Sequence, residues 1–131
     1  MPEHPNATLV RRLFAAFQAA DVTTVRSLID ENAAWRFPGR RGKIAGDHRG
    51  QEQIFAFLLQ VQALTGGTFH LDLIDVTASD DHAVALFRGH GTRDGKTLDN
   101  PTCLRLRIQD GKVTEVWEFV WDLDHVEEFW S

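Results

Sequence analysis

The sequence predicts an α+β fold in which a curved antiparallel sheet is wrapped by helices around an apolar pocket. The first half of the chain carries apolar residues at helical spacing, and the second half consists of long alternating segments separated by turn residues. This order favours helices packed on one face of a sheet. The 131 residues are 43% hydrophobic and 25% charged, which is typical of one globular domain over 1–131.

Three helices and one short strand are predicted in the first half. The first helix runs from about Asn6 to Ala20, with Leu9, Leu13, Phe14 and Phe17 at helical spacing. Asp21 is suited to cap a short second helix whose apolar face holds Val22, Val25, Leu28 and Ile29. Ala33–Phe37 predicts a strand, and the glycine-rich segment Pro38–Gly50 predicts irregular structure. The third helix carries Ile54, Phe57, Leu58, Val61 and Leu64 and ends at Gly66-Gly67.

Four strands and a last short helix are predicted in the second half. The strands are roughly Thr68–Ser79, His82–Arg93, Thr97–Gln109 and Lys112–Trp121. Turns fall at Asp80-Asp81, Asp94-Gly95 and Asp110-Gly111. Asp124 and Glu127 have the spacing of a capping box for a helix that carries Phe129 and Trp130.

The two Asp-Gly turns each allow two pairing registers, which point opposite side chains into the pocket. A two-residue loop at Asp94-Gly95 places Arg93 opposite Lys96, which is unfavourable, whereas a loop with a glycine bulge avoids that pair. In the second hairpin, the bulged loop places Arg105 opposite Glu115, a favourable pair, and Thr102 opposite Glu118. We therefore prefer the bulged register in both hairpins.

In this register one sheet face forms an apolar pocket with a polar end. The apolar part holds Val84, Leu86, Leu104, Leu106, Val116 and Val120, and the polar end holds Arg88, His90, Asn100, Thr102 and Glu118. The opposite face carries Phe87, Trp117, Phe119 and Trp121. Because so much aromatic surface rarely stays in water, we expect a homodimer.

Several short motifs resemble one known family. They are Trp35-x-Phe37-Pro38-Gly39, Gly46-x-x-x-Gly50, Leu64 to Phe69, Asp110-Gly111-Lys112-Val113, and the tail Glu128 to Ser131. In this order they resemble SnoaL-like polyketide cyclases and ketosteroid isomerase-like proteins of the nuclear transport factor 2-like superfamily, which share a cystatin-like fold. The resemblance covers nearly the whole chain. It implies a cone-shaped sheet, a deep apolar cavity and a dimer.

The resemblance also implies a catalytic residue. SnoaL-like cyclases often carry Glu-His-Trp-Asp on the last strand, and this chain has Glu115-Val116-Trp117-Glu118. Glu118 therefore takes the acid/base position, and Val116 replaces the histidine. Phe37 stands where ketosteroid isomerases carry their base, and Leu104 falls near their protonated aspartate. The chain has no tyrosine, so the oxyanion-binding tyrosine of those isomerases is missing too.

The residues of the predicted pocket suggest particular roles. Glu118 among valines should have a raised pKa and suits a general base. His90 could relay a proton, and Arg88 could hold an enolate or carboxylate. The remaining substrate-binding candidates are Asn100 and Thr102 as hydrogen-bond donors and Trp35, Phe37, Phe55 and Leu104 as lining residues.

Composition excludes other classes of function. A net charge of −5 argues against a nucleic-acid-binding surface. The single Cys103 excludes an internal disulfide and a cysteine zinc cluster, and we interpret it as structural. The six histidines show no close ligand pairing, and His82 and His90 lie about 26 Å apart on one strand face, so no metal site is expected. No stretch resembles a signal peptide or a membrane span, so we expect a cytoplasmic protein that contacts no membrane.

Two functional hypotheses follow from the sequence. The first is a cofactor-independent enzyme that performs acid/base chemistry on a small apolar carbonyl compound, as an isomerase, cyclase, dehydratase or epoxide hydrolase. The second is a non-catalytic ligand-binding or scaffold dimer of the same fold, which the missing aspartate, tyrosine and histidine favour. A cavity that contains Glu118 would favour the enzyme, and a collapsed cavity would favour the scaffold.

Overall fold

The helices and strands follow the predicted order. A computed structural model describes residues 2–131. Its helices are α1 (Pro5–Gln18), α2 (Val22–Leu28), α3 (Gly50–Leu64) and α4 (Leu123–Trp130). Its strands are β1 (Ile29–Phe37), β2 (Gly46–Arg49), β3 (His70–Ala78), β4 (His82–Arg93), β5 (Lys96–Gln109) and β6 (Lys112–Val120). The α+β prediction is confirmed.

All six strands join one sheet, whose inner face is covered by helices. The strand order is β2-β1-β6-β5-β4-β3, and every neighbouring pair is antiparallel except the parallel pair β1 and β6. Helix α1 packs against β3 and β4, α3 against β1 and β2, and α4 against β5. Within residues 2–131, no helix combines the length and the apolar character that crossing a bilayer demands.

The predicted capping of α2 is confirmed, but that of α4 is wrong. The Asp21 carboxylate accepts a hydrogen bond from the backbone N–H of Thr24 at 3.1 Å. In α4 the capping residue is Asp122, which accepts from the N–H of His125 at 3.1 Å, so that Asp124 lies inside the first turn. The Glu127 carboxylate instead accepts hydrogen bonds from the backbone N–H groups of residues 40 and 41, and so ties the loop between β1 and β2 to α4.

The segment predicted to be irregular contains the edge strand β2. Gly46 pairs with Phe37, and His48 pairs with Trp35. This strand has only four residues, so it is too short to show an alternating pattern in a glycine-rich stretch. The same segment buries Ile44, which packs beneath α4 and α3 in the second of two apolar clusters.

The hairpin between β4 and β5 has the two-residue loop, so the predicted bulged register is wrong. Arg93 pairs directly with Lys96. Asp94 and Gly95 both have positive φ, at 50° and 76°, which is the type I′ geometry that matches the right-handed twist of the strands. The shift by one residue turns every side chain of β4 to the other face.

The like charges at this turn are accommodated by the C-terminal end of α4. The Arg93 guanidinium donates to the backbone oxygens of Phe129 at 3.0 Å and Ser131 at 2.6 Å. The Lys96 ammonium donates to the backbone oxygen of Glu128 at 2.8 Å. The last carbonyl groups of a helix lack partners within the helix and carry partial negative charge. Two cations side by side are therefore stabilised here.

The hairpin between β5 and β6 also has a two-residue type I′ loop, followed by a bulge on β6. Gln109 pairs with Lys112, and the register then shifts by one residue. The predicted pairs of Arg105 with Glu115 and of Thr102 with Glu118 are wrong, because Arg105 lies opposite Trp117 and Thr102 opposite Val120. Relative to the predicted pairing, the loop and the bulge each shift the register by one residue. A total shift of two residues returns each side chain to the same face, so the predicted inner face of β5 and β6 is preserved.

The corrected register changes the inner face of β4. Phe87 points into the core and not to the outer face, where it was predicted. Val84, Leu86, Arg88 and His90 belong to the outer face and not to the pocket. The inner face of this strand carries small residues and one aromatic: Ala83, Ala85, Phe87, Gly89 and Gly91.

We predict that Arg93→Met lowers the free energy of unfolding by about 2 kcal/mol, because the substitution removes charge-assisted hydrogen bonds to the end of α4. Urea unfolding measures this change through the midpoint. Arg107→Met is the matched control, since Arg107 is exposed on β5 and its side chain makes no hydrogen bond within residues 2–131. We expect it to change stability by less than about 0.5 kcal/mol. Equal effects of the two substitutions would contradict this role of Arg93.

Candidate active site

A cavity of about 70 Å³ lies between the inner face of the sheet and the helices. Its lining is almost wholly apolar, and all four helices contribute aromatic or aliphatic side chains to it, α2 through Val25 alone. Five of the predicted site residues contribute to the wall: Trp35, Phe37, Asn100, Leu104 and Glu118. A space of this size admits several water molecules or a slender ligand. A broader ligand would require the lining side chains to move apart.

Among the described residues 2–131, Glu118 is the one ionisable residue that lines the cavity. It lies on β6 opposite Leu104, and its Oε1 atom accepts a hydrogen bond from the indole N–H of Trp35 at 3.1 Å. The parallel pairing of β1 with β6 places these two side chains together, since Trp35 is the partner of Val116. Glu118 forms no salt bridge within residues 2–131.

Burial raises the pKa of Glu118 to about 7, and the hydrogen bond from Trp35 partly opposes that rise. The residue keeps a small accessible surface, while its carboxyl group is surrounded by protein atoms. A group that ionises near neutral pH can both accept and return a proton under physiological conditions. The predicted direction of the pKa shift agrees with this environment.

A second carboxyl group on β6 shows the opposite behaviour. Glu115 lies on the outer face, where the Trp117 indole N–H donates to it at 2.6 Å and Arg36 at 3.1 Å. The hydrogen bond from Trp117 is the main cause that lowers the pKa of Glu115, and Arg36 adds to it. The two faces of β6 therefore shift the pKa values of these two glutamates in opposite directions.

Asn100 is the other polar side chain of the wall. It is 6% exposed, and its buried Oδ1 atom has no hydrogen-bond partner among residues 2–131. Its backbone oxygen accepts from the hydroxyl group of Thr102 at 3.0 Å. A buried amide oxygen without a partner is costly unless a ligand or water satisfies it. The predicted site residue Thr102 is itself buried beside Asn100 but does not line the cavity.

Three predicted site residues lie elsewhere. Arg88 is on the outer face, where it donates to both carboxylate oxygens of Asp99 at 2.9 and 3.0 Å. His90 is on the same face, and its Nε2 atom lies 2.9 Å from Asp72. Both misplacements come from the register of β4. Phe55 packs against the core beneath the guanidinium of Arg26, outside the cavity lining.

Sequence reasoning missed most of the aromatic lining. Phe14 and Phe17 come from α1, Phe57 from α3, and Phe69, Phe87 and Trp130 from three further parts of the chain. Helical spacing had assigned the residues of α1 and α3 to buried faces. It does not distinguish a residue in the solid core from one that borders a cavity, because both are apolar and buried.

Comparison with known proteins gives the family. A family model described as SnoaL-like domain matches residues 10–116. The chain belongs to the SnoaL-like family. The uncharacterized protein Rv0034 of Mycobacterium tuberculosis is 30% identical over 132 residues, and the alignment covers both chains completely.

Solved structures agree with this assignment. The structure of Bal32a, from a soil-derived mobile gene cassette, is 42% identical, with 97% of each chain covered and a TM-score of 0.93. An NTF2-like protein from Burkholderia xenovorans is 20% identical, with 100% of this chain and 99% of that chain covered and a TM-score of 0.82. The latter similarity concerns the fold alone. The cone fold that the resemblance implied is thus confirmed for this SnoaL-like protein.

The raised pKa of Glu118 predicts a pH-dependent stability for this SnoaL-like protein. Between about pH 4.5 and 7, the folded state keeps a proton that the unfolded chain has released. Raising the pH through this window therefore lowers the free energy of unfolding, and above it the contribution is constant. Glu118→Gln lacks this titration, so its stability relative to the wild type should rise by roughly 2–3 kcal/mol between pH 4.5 and 8.

Urea unfolding of both proteins across this pH range measures the difference, in which the contributions of all other titrating groups cancel. Two stability curves that run parallel from pH 4.5 to 8 would contradict the prediction, because they would mean that folding does not raise the pKa of Glu118.

Proposed function

We propose that this SnoaL-like protein is a cofactor-independent enzyme in which Glu118 acts as the general base on a small, largely apolar carbonyl compound. The observation that carries the proposal is a single carboxyl group, with a pKa near neutral, on the wall of an otherwise apolar cavity. Such a group removes a proton from carbon most effectively when water is excluded and its pKa is close to the working pH.

The proposed step is a proton transfer that balances within the cavity. The Glu118 carboxylate takes a proton from the carbon next to a carbonyl group, and the electron pair of the C–H bond moves to the carbonyl oxygen. The indole N–H of Trp35 orients the carboxylate by its hydrogen bond to Oε1. The protonated Glu118 then returns the proton to a different carbon in an isomerisation. In a cyclisation, the enolate carbon attacks a second carbonyl group before the proton returns to the new alkoxide.

Asn100 is proposed to hold the distal end of the substrate. It lies four residues from Leu104 along β5, and Leu104 is the partner of Glu118, so the two polar positions are about 13 Å apart along the strand. This spacing places the two side chains toward different ends of the cavity. The unpartnered Oδ1 atom of Asn100 fits a hydroxyl or N–H group of the ligand. The favoured substrate is therefore slender and apolar, with polar groups at both ends.

A non-catalytic ligand-binding protein is the second candidate. The observation that favours it is the isolation of Glu118, since no histidine, lysine or second carboxylate joins it in the lining described within residues 2–131. The two candidates differ in one measurable property. Both predict that small apolar ligands bind in the cavity, but only the enzyme predicts exchange or rearrangement of their protons.

We predict that the wild-type protein in D₂O catalyses deuterium exchange at the α-carbon of a small cyclic ketone such as cyclohex-2-enone or 2-tetralone. Proton NMR follows the reaction. The rate should rise with pH to a plateau above about 7, where Glu118 is ionised. Glu118→Gln should lower the rate by on the order of 10²–10⁴-fold.

Glu115→Gln is the matched control, because it neutralises the glutamate on the outer face of the same strand, and it should retain the wild-type rate. Unchanged exchange in Glu118→Gln would contradict the general base. Binding of the ketone without exchange, detected by chemical-shift changes at the cavity, would favour the ligand-binding protein.

The homodimer remains a prediction, and the corrected outer face still favours it. Leu86, Cys103 and Phe119 are cross-strand neighbours in one row, and Phe119 is 51% exposed. Trp121 is 86% exposed next to that row. Sedimentation equilibrium at micromolar concentration should give twice the monomer mass, and Phe119→Asp should shift the protein toward the monomer. A wild-type monomer under these conditions would contradict the prediction.

A further inference from the structure

A cluster of two histidines and one aspartate lies on the outer face of the sheet, near its β3 edge. His70 and His90 are direct cross-strand partners on β3 and β4. Asp72 follows two residues after His70, so its side chain projects from the same face of β3. The spacing of histidines along one strand does not reveal this group, because its residues come from two adjacent strands.

The three side chains already converge. The Nε2 atom of His90 lies 2.9 Å from the Oδ2 atom of Asp72. The imidazole rings of His70 and His90 are stacked, with centroids 4.9 Å apart and planes inclined by 18°. One nitrogen or oxygen atom from each residue lies within 4.8 Å of the other two.

We propose that His70, Asp72 and His90 bind a divalent transition-metal ion, with Zn²⁺ as the best match. Two imidazole nitrogens and one carboxylate oxygen form a donor set that suits this class of ion, whereas Mg²⁺ and Ca²⁺ prefer oxygen ligands alone. Ligand atoms around a tetrahedral Zn²⁺ are about 3.3 Å apart, given bond lengths near 2.0–2.1 Å. His70 and Asp72 are exposed, so side-chain rotation can bring the three atoms together.

The surrounding charges permit a cation at this site. Arg88 is the cross-strand partner of Asp72, but its guanidinium is directed to both oxygens of the Asp99 carboxylate. Asp99 is in turn the partner of His90 on β5, and its backbone N–H donates to the imidazole of His125 at 3.2 Å. The positive charge of Arg88 is thus compensated locally, and Asp72 remains available to the metal.

The site lies on the reverse side of the cavity wall. The proposed ligands alternate along their strands with Leu71 and Gly89, which line the cavity. A bound ion would fasten the edge strand β3 to β4 and so stabilise this part of the wall. The proposal is independent of the role of Glu118, which lies on the inner face of β6.

Isothermal titration of the tag-free protein with ZnCl₂ tests the site, since a histidine tag would bind the same ion. We expect one Zn²⁺ per chain. His70→Asn and His90→Asn should each weaken binding by on the order of tenfold or more, because loss of a ligand exceeds the effect of losing a supporting contact. His82→Asn is the matched control, since it removes a histidine from the outer face of β4 at the far end of that strand, and it should bind as tightly as the wild type.

A second measurement uses the wild type alone, so that it does not depend on the folding of a variant. In protein with ¹⁵N-labelled histidine, Zn²⁺ should shift the ring nitrogens of His70 and His90 and leave those of His82 unchanged. The proposal is overturned if the wild type shows no saturable binding, if His70→Asn and His90→Asn bind as well as the wild type, or if the shifts occur at other histidines.

Discussion

The type I′ turn at Asp94-Gly95 determines which side chains of this protein face the cavity. Its geometry fixes the pairing of β4 with β5 and therefore the face on which every residue of β4 lies. The turn places Arg93 beside Lys96, an arrangement that is unfavourable for an isolated hairpin. Helix α4 offsets the repulsion between the two cations, because both donate hydrogen bonds to backbone oxygens at its C-terminal end. The same contacts hold Trp130 of α4 over the cavity, so the register and the closure of the cavity depend on each other.

The chemistry of the cavity follows from the isolation of Glu118. The carboxyl group has an indole donor and an apolar environment, and no cation within the described part of the chain pairs with it. Its pKa consequently approaches neutrality, whereas that of Glu115 on the outer face is lowered by the Trp117 hydrogen bond and by Arg36. Strand β6 thus carries one carboxyl group suited to proton transfer and one suited to an ion pair.

The two faces of the sheet separate the remaining chemistry of the molecule. The inner face combines aromatic side chains with Asn100, whose unpartnered amide oxygen marks a polar contact at a distance from Glu118. The outer face carries the ion pair of Arg88 with Asp99, the row of Leu86, Cys103 and Phe119, and the cluster around His90. Successive residues of a strand alternate between these faces, so neighbouring positions in the sequence serve different chemistry.

The sequence by itself determined the α+β class, the buried faces of the helices, the approximate strands, the capping of α2 by Asp21, and the SnoaL-like resemblance that pointed to Glu118. These features depend on local periodicity and on short motifs, which a single chain displays directly. Only the tertiary structure decided the register of β4, because the repulsion between Arg93 and Lys96 is offset by a helix more than thirty residues away. It also decided that β2 forms, that Asp122 caps α4, and that His70 meets His90 across two strands. Each of these depends on partners that are distant in sequence, and no local pattern identifies such partners.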